Sequence, residues 1–485
     1  MPRTSDIDVA AIRAGLKALP RTANHSPGEP IALDDIVVVP GHRAALDPDR
    51  TLVVGNRGVG KSFWTHVLAD AEARTRVAKT FRELTAVDVV MGFNASARLD
   101  PVAPTQDAVN RAYQAVGDAE AESIWRAVLV RAANDRGMEL PASFPGESFP
   151  AQATWVRDHG DQVDRIVTEL DDRYSRQRQK LVLVFDALDR LGSGWQAKRE
   201  QARALLRQAL AARSYRSIRF KLFMRRDQFE DPLLFQFADG SKIANQLVDL
   251  QWSSSDLYTL LFSALEHADE SSKAFAQLSA SQVGLADRNS DKAHQVLVNS
   301  IAGEFMGATA KQGRVYTWLP LHLSDARGET SPRTFLTAWR EAAFFVPAPA
   351  KRALDYRGIH EGVRKASEDR MKELDEDYWW ISLALEPLRH QQVPMERAAL
   401  KRLWAGKKTA SDILAKSINQ LPPVRLDNAK AQSANLEDAL IEDLRAIGII
   451  EVRPNDKINI PDIFRLEAGI KRKGGVAAPL RPQRE

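Results

Sequence analysis

The chain has 485 residues, 44% apolar and 27% charged, with a formal net charge of +4. This is ordinary globular composition, with room for about two to four domains. Having no cysteine, it carries no disulfide framework, thiolate metal site or cysteine nucleophile. No apolar run approaches a membrane span, and Met1-Pro-Arg-Thr-Ser-Asp-Ile-Asp8 lacks the apolar stretch of a signal peptide. The expectation is a cytoplasmic protein without a membrane partner. Nine histidines form no H-E-x-x-H pair, and no G-x-S-x-G occurs.

In chain order, Ile7, Ile12, Leu16 and Leu19 fall near one helical face, followed by a Pro- and Gly-containing linker over 20–30. Residues 1–29 read as N-terminal helix and linker. Ile36–Pro40 reads as a short strand or extended entry. Leu52-Val-Val54 is a buried strand, and Gly55-Asn56-Arg57-Gly58-Val59-Gly60-Lys61-Ser62 follows it. Phe63, Val67 and Leu68, with Trp64 and Ala71, then take helical spacing. The glycines allow backbone N–H groups to wrap a phosphate chain. Lys61 can reach the terminal phosphates, the Ser62 hydroxyl can ligate Mg²⁺, and the helix points its positive end at the anion. Residues 55–63 are therefore the candidate ATP-binding segment.

Val87–Phe93 reads as the next strand and 120–134 as a helix around Ile124, Trp125, Val128 and Leu129. A Pro/Gly-rich loop spans Pro141–Pro150. Val163, Ile166, Val167 and Leu170 mark another helix. Leu181-Val-Leu-Val-Phe185 is a central parallel strand by its unbroken apolar run, and Asp186 ends it, where ligands bind in open α/β sheets. Asp186 is the candidate Mg²⁺ partner. Asp189 is either a group that orients or activates the attacking water or the N-cap of the next helix. Strands alternating with helices predict a parallel sheet with right-handed crossovers. Arg219–Asp227 reads as a further strand with a polar end.

The pair GNRGVGKS and LVLVFDALDRL resembles the STAND branch of AAA+-related ATPases, including NACHT-type proteins and bacterial relatives. The resemblance implies an arginine at the end of the 219–227 strand that senses the γ-phosphate. Arg225 and Arg226 are the candidates, and strand alternation lets only one face the site; the alternative is an arginine that pairs with Asp227 or Glu230 to hold the loop. It also implies a lid helix opening at Ser331-Pro-Arg333, with Arg333 either a second sensor or a solvated side chain. Ala187 stands where the more usual AAA+ pattern places Glu directly after Asp, which argues against a standard unfoldase or clamp loader.

Beyond residue 250 strands thin out. Ser253–Asp256 reads as a capping box before Leu257, Leu260, Leu261 and Ala264. The expected layout is an α/β parallel-sheet P-loop NTPase core over 30–250, a helical lid over 251–350 and a charged linker over 351–375. A winged-helix domain over 376–464 and a basic flexible tail over 465–485 complete it. Within the last domain, helices begin at Tyr378, Pro394 and Leu436, and Ile449–Arg453 with Ile458–Ile460 form a hairpin. Helix 436–447 is acidic, which favours packing or partner binding over base reading. Arg397, Lys401, Arg402, Lys407 and Lys408 make 395–408 the better nucleic-acid candidate, together with the tail 471–485.

The resulting expectation is a Mg²⁺–ATP switch or motor with Lys61, Asp186, Asp189, Arg225, Arg226 and Arg333 in catalytic or sensing roles. It assembles with itself when ATP binds and controls a separate effector; by analogy with bacterial relatives, the setting is phage defence. The alternatives are a DNA-binding ATPase of origin-loader or transposition-helper type and a scaffold that binds ATP without turnover.

Overall fold

The computed structural model describes residues 7–20, 31–146, 148–192, 194–283, 289–417, 420–431 and 435–474. Most of the expected linker, 21–30, and most of the expected tail, 475–485, lie outside the described residues. The chain forms two compact units, Asn24–Gln251 and Met1–Ala23 with Trp252–Glu485.

The first unit is α/β. Strands β1 (Leu52–Gly55), β2 (Val87–Phe93), β3 (Lys180–Phe185), β4 (Ile218–Arg225) and β5 (Val248–Asp249) form one sheet in the order β2-β3-β4-β1-β5. Every pairing in it is parallel, so all five C-terminal ends lie along one edge. Leu52, Val53, Val54 and Leu181–Phe185 are buried, as apolar strands covered on both faces must be. Helices Gln106–Val116, Glu122–Asp135, Phe149–Asp158 and Gly160–Arg176 make the crossover from β2 to β3. Their apolar faces join the sheet in one core, where Trp125 meets Phe185 edge-on at 5.7 Å and Phe185 stacks on Phe220 at 5.3 Å. Gly92 is required by that packing, since a Cβ there would lie 2.5 Å from the Phe185 ring. Ile36–Pro40 is not a sheet strand. It runs between single 3₁₀ turns at Leu33–Asp35 and Pro40–His42, with Ile36 and Val39 buried as loop anchors. Lys221, fully buried in β4, donates to the carbonyls of Ala45 at 2.8 Å and Arg50 at 2.9 Å. Burial pushes its ammonium down to about 7, and its role is to tie the 45–50 segment to the sheet.

The second unit is helical. The expected capping box is present: the Ser253 hydroxyl caps Asp256 N–H, and the Asp256 carboxylate accepts from Ser253 N–H at the start of helix Ser254–His267. Helix Val9–Ala18 contributes Ile12 and Leu16, and its C-cap contributes Leu19, to the same core as Leu257, Leu261 and Trp339. The stretch expected to be a charged linker is instead helix Tyr356–Asp377. Most of its charges are outside the buried stripe of Ile359, Val363, Ala366, Met371 and Leu374, while Arg370 is buried. It lies close against helix Pro332–Phe344, with Gly362 where a Cβ would sit 2.1 Å from the Ala338 carbonyl oxygen.

Further along, Val393-Pro394 ends strand β6 (Gln392–Val393), and Met395–Glu396 is strand β7, so the helix expected from Pro394 begins at Arg397 and runs to Lys407. The helix expected at Tyr378 is the short Ile381–Leu385. Helix Leu436–Ala446 leads into the antiparallel hairpin of β8 (Glu451–Val452) and β9 (Lys457–Asn459), to which β7 adds a third strand. Leu400, Trp404, Leu440, Leu444 and Ile458 belong to the same core as the lid helices. The expected tail starts later than residue 465: Asp462–Arg465 is helical, and β10 (Lys471–Arg472) pairs in parallel with β6. Among the described residues no helix is long and apolar enough to cross a membrane.

Candidate nucleotide site

The loop after β1 is shaped by its glycines. Gly58 and Gly60 have φ of 82° and 98°, a left-handed region that only glycine adopts without strain. Gly60 precedes helix Lys61–Ala69, whose first turn presents N–H groups that have no carbonyl one turn earlier. The Lys61 ammonium bends back to donate to the Gly55 and Asn56 carbonyls, both at 2.8 Å. Val59 is buried, with its methyl 2.7 Å from where a Gly55 Cβ would stand. Arg57 is half-buried, and the Phe63 ring meets Trp64 edge-on at 5.3 Å. Ser62 is exposed in the first turn.

Asp186 follows β3 directly, its N–H bonded to the Phe93 carbonyl at 2.8 Å and its side chain buried. Thr65, three residues after Ser62 on the same helix, joins the two halves of the site. Its hydroxyl lies 2.8 Å from the Ser62 carbonyl and 3.4 Å from an Asp186 carboxylate oxygen. The sequence reading missed Thr65. The available signal was a hydroxyl on the buried face of the helix, one turn after the candidate metal ligand.

Ala187 has φ of 55°, a conformation that costs a residue bearing a Cβ about 1–2 kcal/mol. The turn it makes leads into the 3₁₀ turn Leu188–Arg190. Asp189 is not the N-cap of the following helix, because Gly194 precedes Trp195–Ala211. Instead its carboxylate pairs with Arg225 at 3.3 Å, and its carbonyl accepts from Lys198 at 2.7 Å. Arg225 stands opposite Gly55 in the β1–β4 register and also reaches Asp227 at 3.1 Å. Arg226 pairs with Asp249 on β5. The two arginines therefore diverge, and Arg225 is the one beside Asp189. The loop-holding alternative describes Arg225 through its pair with Asp227, and the same guanidinium also reaches Asp189.

Burial pushes the Lys61 ammonium down to about 8; the Asp186 carboxylate opposes that shift, Arg225 adds to it, and Asp189 and Asp227 oppose it. The same electrostatic set thus couples Lys61 to Asp186 and Asp189 after β3 and to Arg225 and Asp227 at the end of β4. A desolvated ammonium, positive-φ glycines and a helix N-terminus are donors for a phosphate chain. Among the described residues no cluster of three or more His, Asp or Glu suits a metal ion. A nucleotide-borne Mg²⁺ needs no such cluster, since phosphates and water supply most of its octahedron; one hydroxyl (Ser62) and one carboxylate (Asp186) fit that need.

Arg333 belongs to the second unit, where it pairs with Glu373 at 2.8 Å, and Glu373 also holds Arg370 at 3.2 Å. In the 395–408 segment, Arg397 and Lys401 are tied to Asp438 of the acidic helix, Lys401 without a wide gap and Arg397 at 3.1 Å. Arg402, Lys407 and Lys408 are exposed.

No family model matches the chain, and no curated protein is significantly similar to it. Among solved structures, ORC2 of Aeropyrum pernix in its ADPNP–ADP complexes is 14% identical, with a TM-score of 0.37 over 93% of this chain and 95% of that one. Cdc6p of Pyrobaculum aerophilum is 15% identical, with a TM-score of 0.31 over 91% and 94%. The ADP form of the Aeropyrum pernix ORC2 protein is 13% identical, with a TM-score of 0.32 over 92% and 94%.

Proposed function

We propose that this chain is a Mg²⁺-dependent ATPase of STAND/AAA+ type that couples a bound triphosphate to the arrangement of its helical unit. The observation that carries the reading is the Thr65 bridge, which brings Asp186 to the phosphate-loop helix from 121 positions away. Lys61 and the loop amides bind the phosphates, and Ser62 and Asp186 would hold Mg²⁺, which would neutralise charge on the transferred group. Asp189 orients the water and accepts its proton as the new P–O bond forms and ADP departs. The test is phosphate release from MgATP: Asp186→Asn is expected to lower turnover at least about a hundredfold, and absence of release from the parent protein contradicts the reading.

The C-terminal helices closed by the β7-β9-β8 sheet are proposed to be a winged helix. The STAND branch, a separate effector and a place in phage defence rest on the motif resemblance. A second reading, a DNA-binding ATPase, is favoured by the exposed Arg402 and Lys407 of helix Arg397–Lys407 and its exposed C-cap Lys408. It predicts a salt-dependent DNA shift that weakens when these three are changed to Gln.

A further inference from the structure

Of the five large apolar side chains that stand exposed among the described residues, three bracket one connection in the helical unit: Phe344 at 48%, Val346 at 76% and Tyr356 at 41%. This connection joins helix Pro332–Phe344 to helix Tyr356–Asp377 and contains no helix or strand of its own. Its base is nevertheless fixed. The Arg13 guanidinium, from the N-terminal helix, donates to the Phe345 carbonyl and, at 3.0 Å, to the Ala353 carbonyl, so one side chain pins both ends. Leu354 is buried, and its N–H donates to the Ile301 carbonyl at 3.0 Å. Val346, Pro347 and Ala348 lie between these anchors and are exposed. Their outward area contributes nothing to folding, because apolar area stabilises only when something covers it. The surroundings are basic. The Lys17 ammonium lies 5.3 Å and the Arg340 guanidinium 5.2 Å from the centre of the Phe344 ring, each over the ring. The Arg357 guanidinium lies 6.0 Å from the centre of the Phe345 ring. Lys351 and Arg352 follow on the loop and are exposed. Two carboxylates stand among these cations, Glu341 on Arg340 at 2.7 Å and Asp355 on Arg357 at 2.7 Å.

We propose that this loop and its basic surround are a docking surface for an acidic segment of a partner protein, one that carries an aliphatic or aromatic anchor among its carboxylates. Val346 and Phe344 receive the anchor, and Lys17, Lys351 and Arg352 pair with the acids. An apolar centre inside a charged rim is the anatomy of a protein interface, where aromatic residues and arginine supply most of the binding energy. The contacts already present show the charge preference: Arg357 holds one Asp355 oxygen with two nitrogens, at 3.0 and 2.7 Å. A guanidinium so placed is suited to carboxylates. Nucleic acid fits this surface less well. Cations occupy the space over the Phe344 ring where a base would stack, and the apolar tip offers nothing to phosphates. The surface belongs wholly to the helical unit, so the proposal stands apart from the ATPase reading.

The probe is a phage-displayed library of random peptides of about twelve residues, selected on the immobilised full chain. Enriched peptides are expected to carry several Asp or Glu residues around one Leu, Ile, Val or Phe. A labelled synthetic copy of the best of them is then titrated by fluorescence anisotropy. It should bind at least about tenfold more weakly to Val346→Asp and to Lys17→Glu, and several-fold more weakly when salt rises from about 0.15 to about 0.5 M. Lys242→Glu makes the same charge change on an exposed side chain of the α/β unit and should bind as the parent does. All three positions are exposed, so each thermal midpoint should stay within about 2 °C of the parent, which reports folding. No enrichment, enriched peptides without an excess of acid, or equal binding by the parent and Val346→Asp overturns the proposal. An oligothymidylate of about 20 nucleotides and phosphatidylserine vesicles are tested alongside. If either binds the parent more tightly than the selected peptide does and loses that binding in Val346→Asp, the surface recognises phosphate groups and the proposal is likewise overturned.

Discussion

Lys61 has its ammonium committed to two backbone carbonyls and desolvated enough to titrate near 8. The sign of its effect on binding follows. Phosphate oxygens favour the charged form, so above about pH 8 nucleotide binding must take up a proton, and affinity falls as pH rises, by up to about tenfold per unit. Calorimetry in buffers of different ionisation heat is expected to show proton uptake at pH 9 and little at pH 7; an affinity flat from pH 7 to 10 contradicts it. Thr65 supports a second prediction. Thr65→Val keeps the volume of this buried side chain but removes the hydroxyl beside Asp186. Expected are a stability loss of about 1 kcal/mol and a several-fold weaker affinity for MgADP with Mg²⁺-free ADP binding unchanged, read by titration with and without EDTA. At this scale the strand–loop–helix shape around Gly55–Ser62 was legible because its residues are contiguous. Which of Arg225 and Arg226 pairs with Asp189 was not, because their partners Asp189 and Asp249 come from the turn after β3 and from β5.

Among the elements, apolar runs and helical periodicity identified β1 to β4 and the helices around Val163 and Leu257, because burial on both faces or on one stripe leaves a pattern in the residues themselves. Helix Tyr356–Asp377 escaped that reading. Its dense charge masks a stripe of buried residues, and only packing against Pro332–Phe344 makes the stripe meaningful. Strands of two residues such as β6, β7 and β10 carry no periodicity at all and are defined by their partners. The close helix pair gives a direct test. Gly362→Ala places a methyl 2.1 Å from the Ala338 carbonyl oxygen, so the helices must separate. A loss of about 1–3 kcal/mol is expected in denaturant unfolding, with ADP affinity of the folded protein unchanged; an undiminished midpoint contradicts this packing.

For the molecule as a whole, the N-terminal helix and the chain beyond residue 252 share one core while the nucleotide loop sits in the other unit. The chain thus enters and leaves the α/β unit through the helical one. If ATP also drives self-association, light scattering should show a larger mass with ADPNP than with ADP, and equal masses contradict the assembly proposal. The most direct measurement is titration of MgADPNP into the parent chain and into Lys61→Ala by calorimetry. One site per chain with binding heat in the parent, and none in Lys61→Ala, is the predicted result. No heat in the parent, or equal binding by both, would contradict a triphosphate held between the Gly55–Ser62 loop and Asp186.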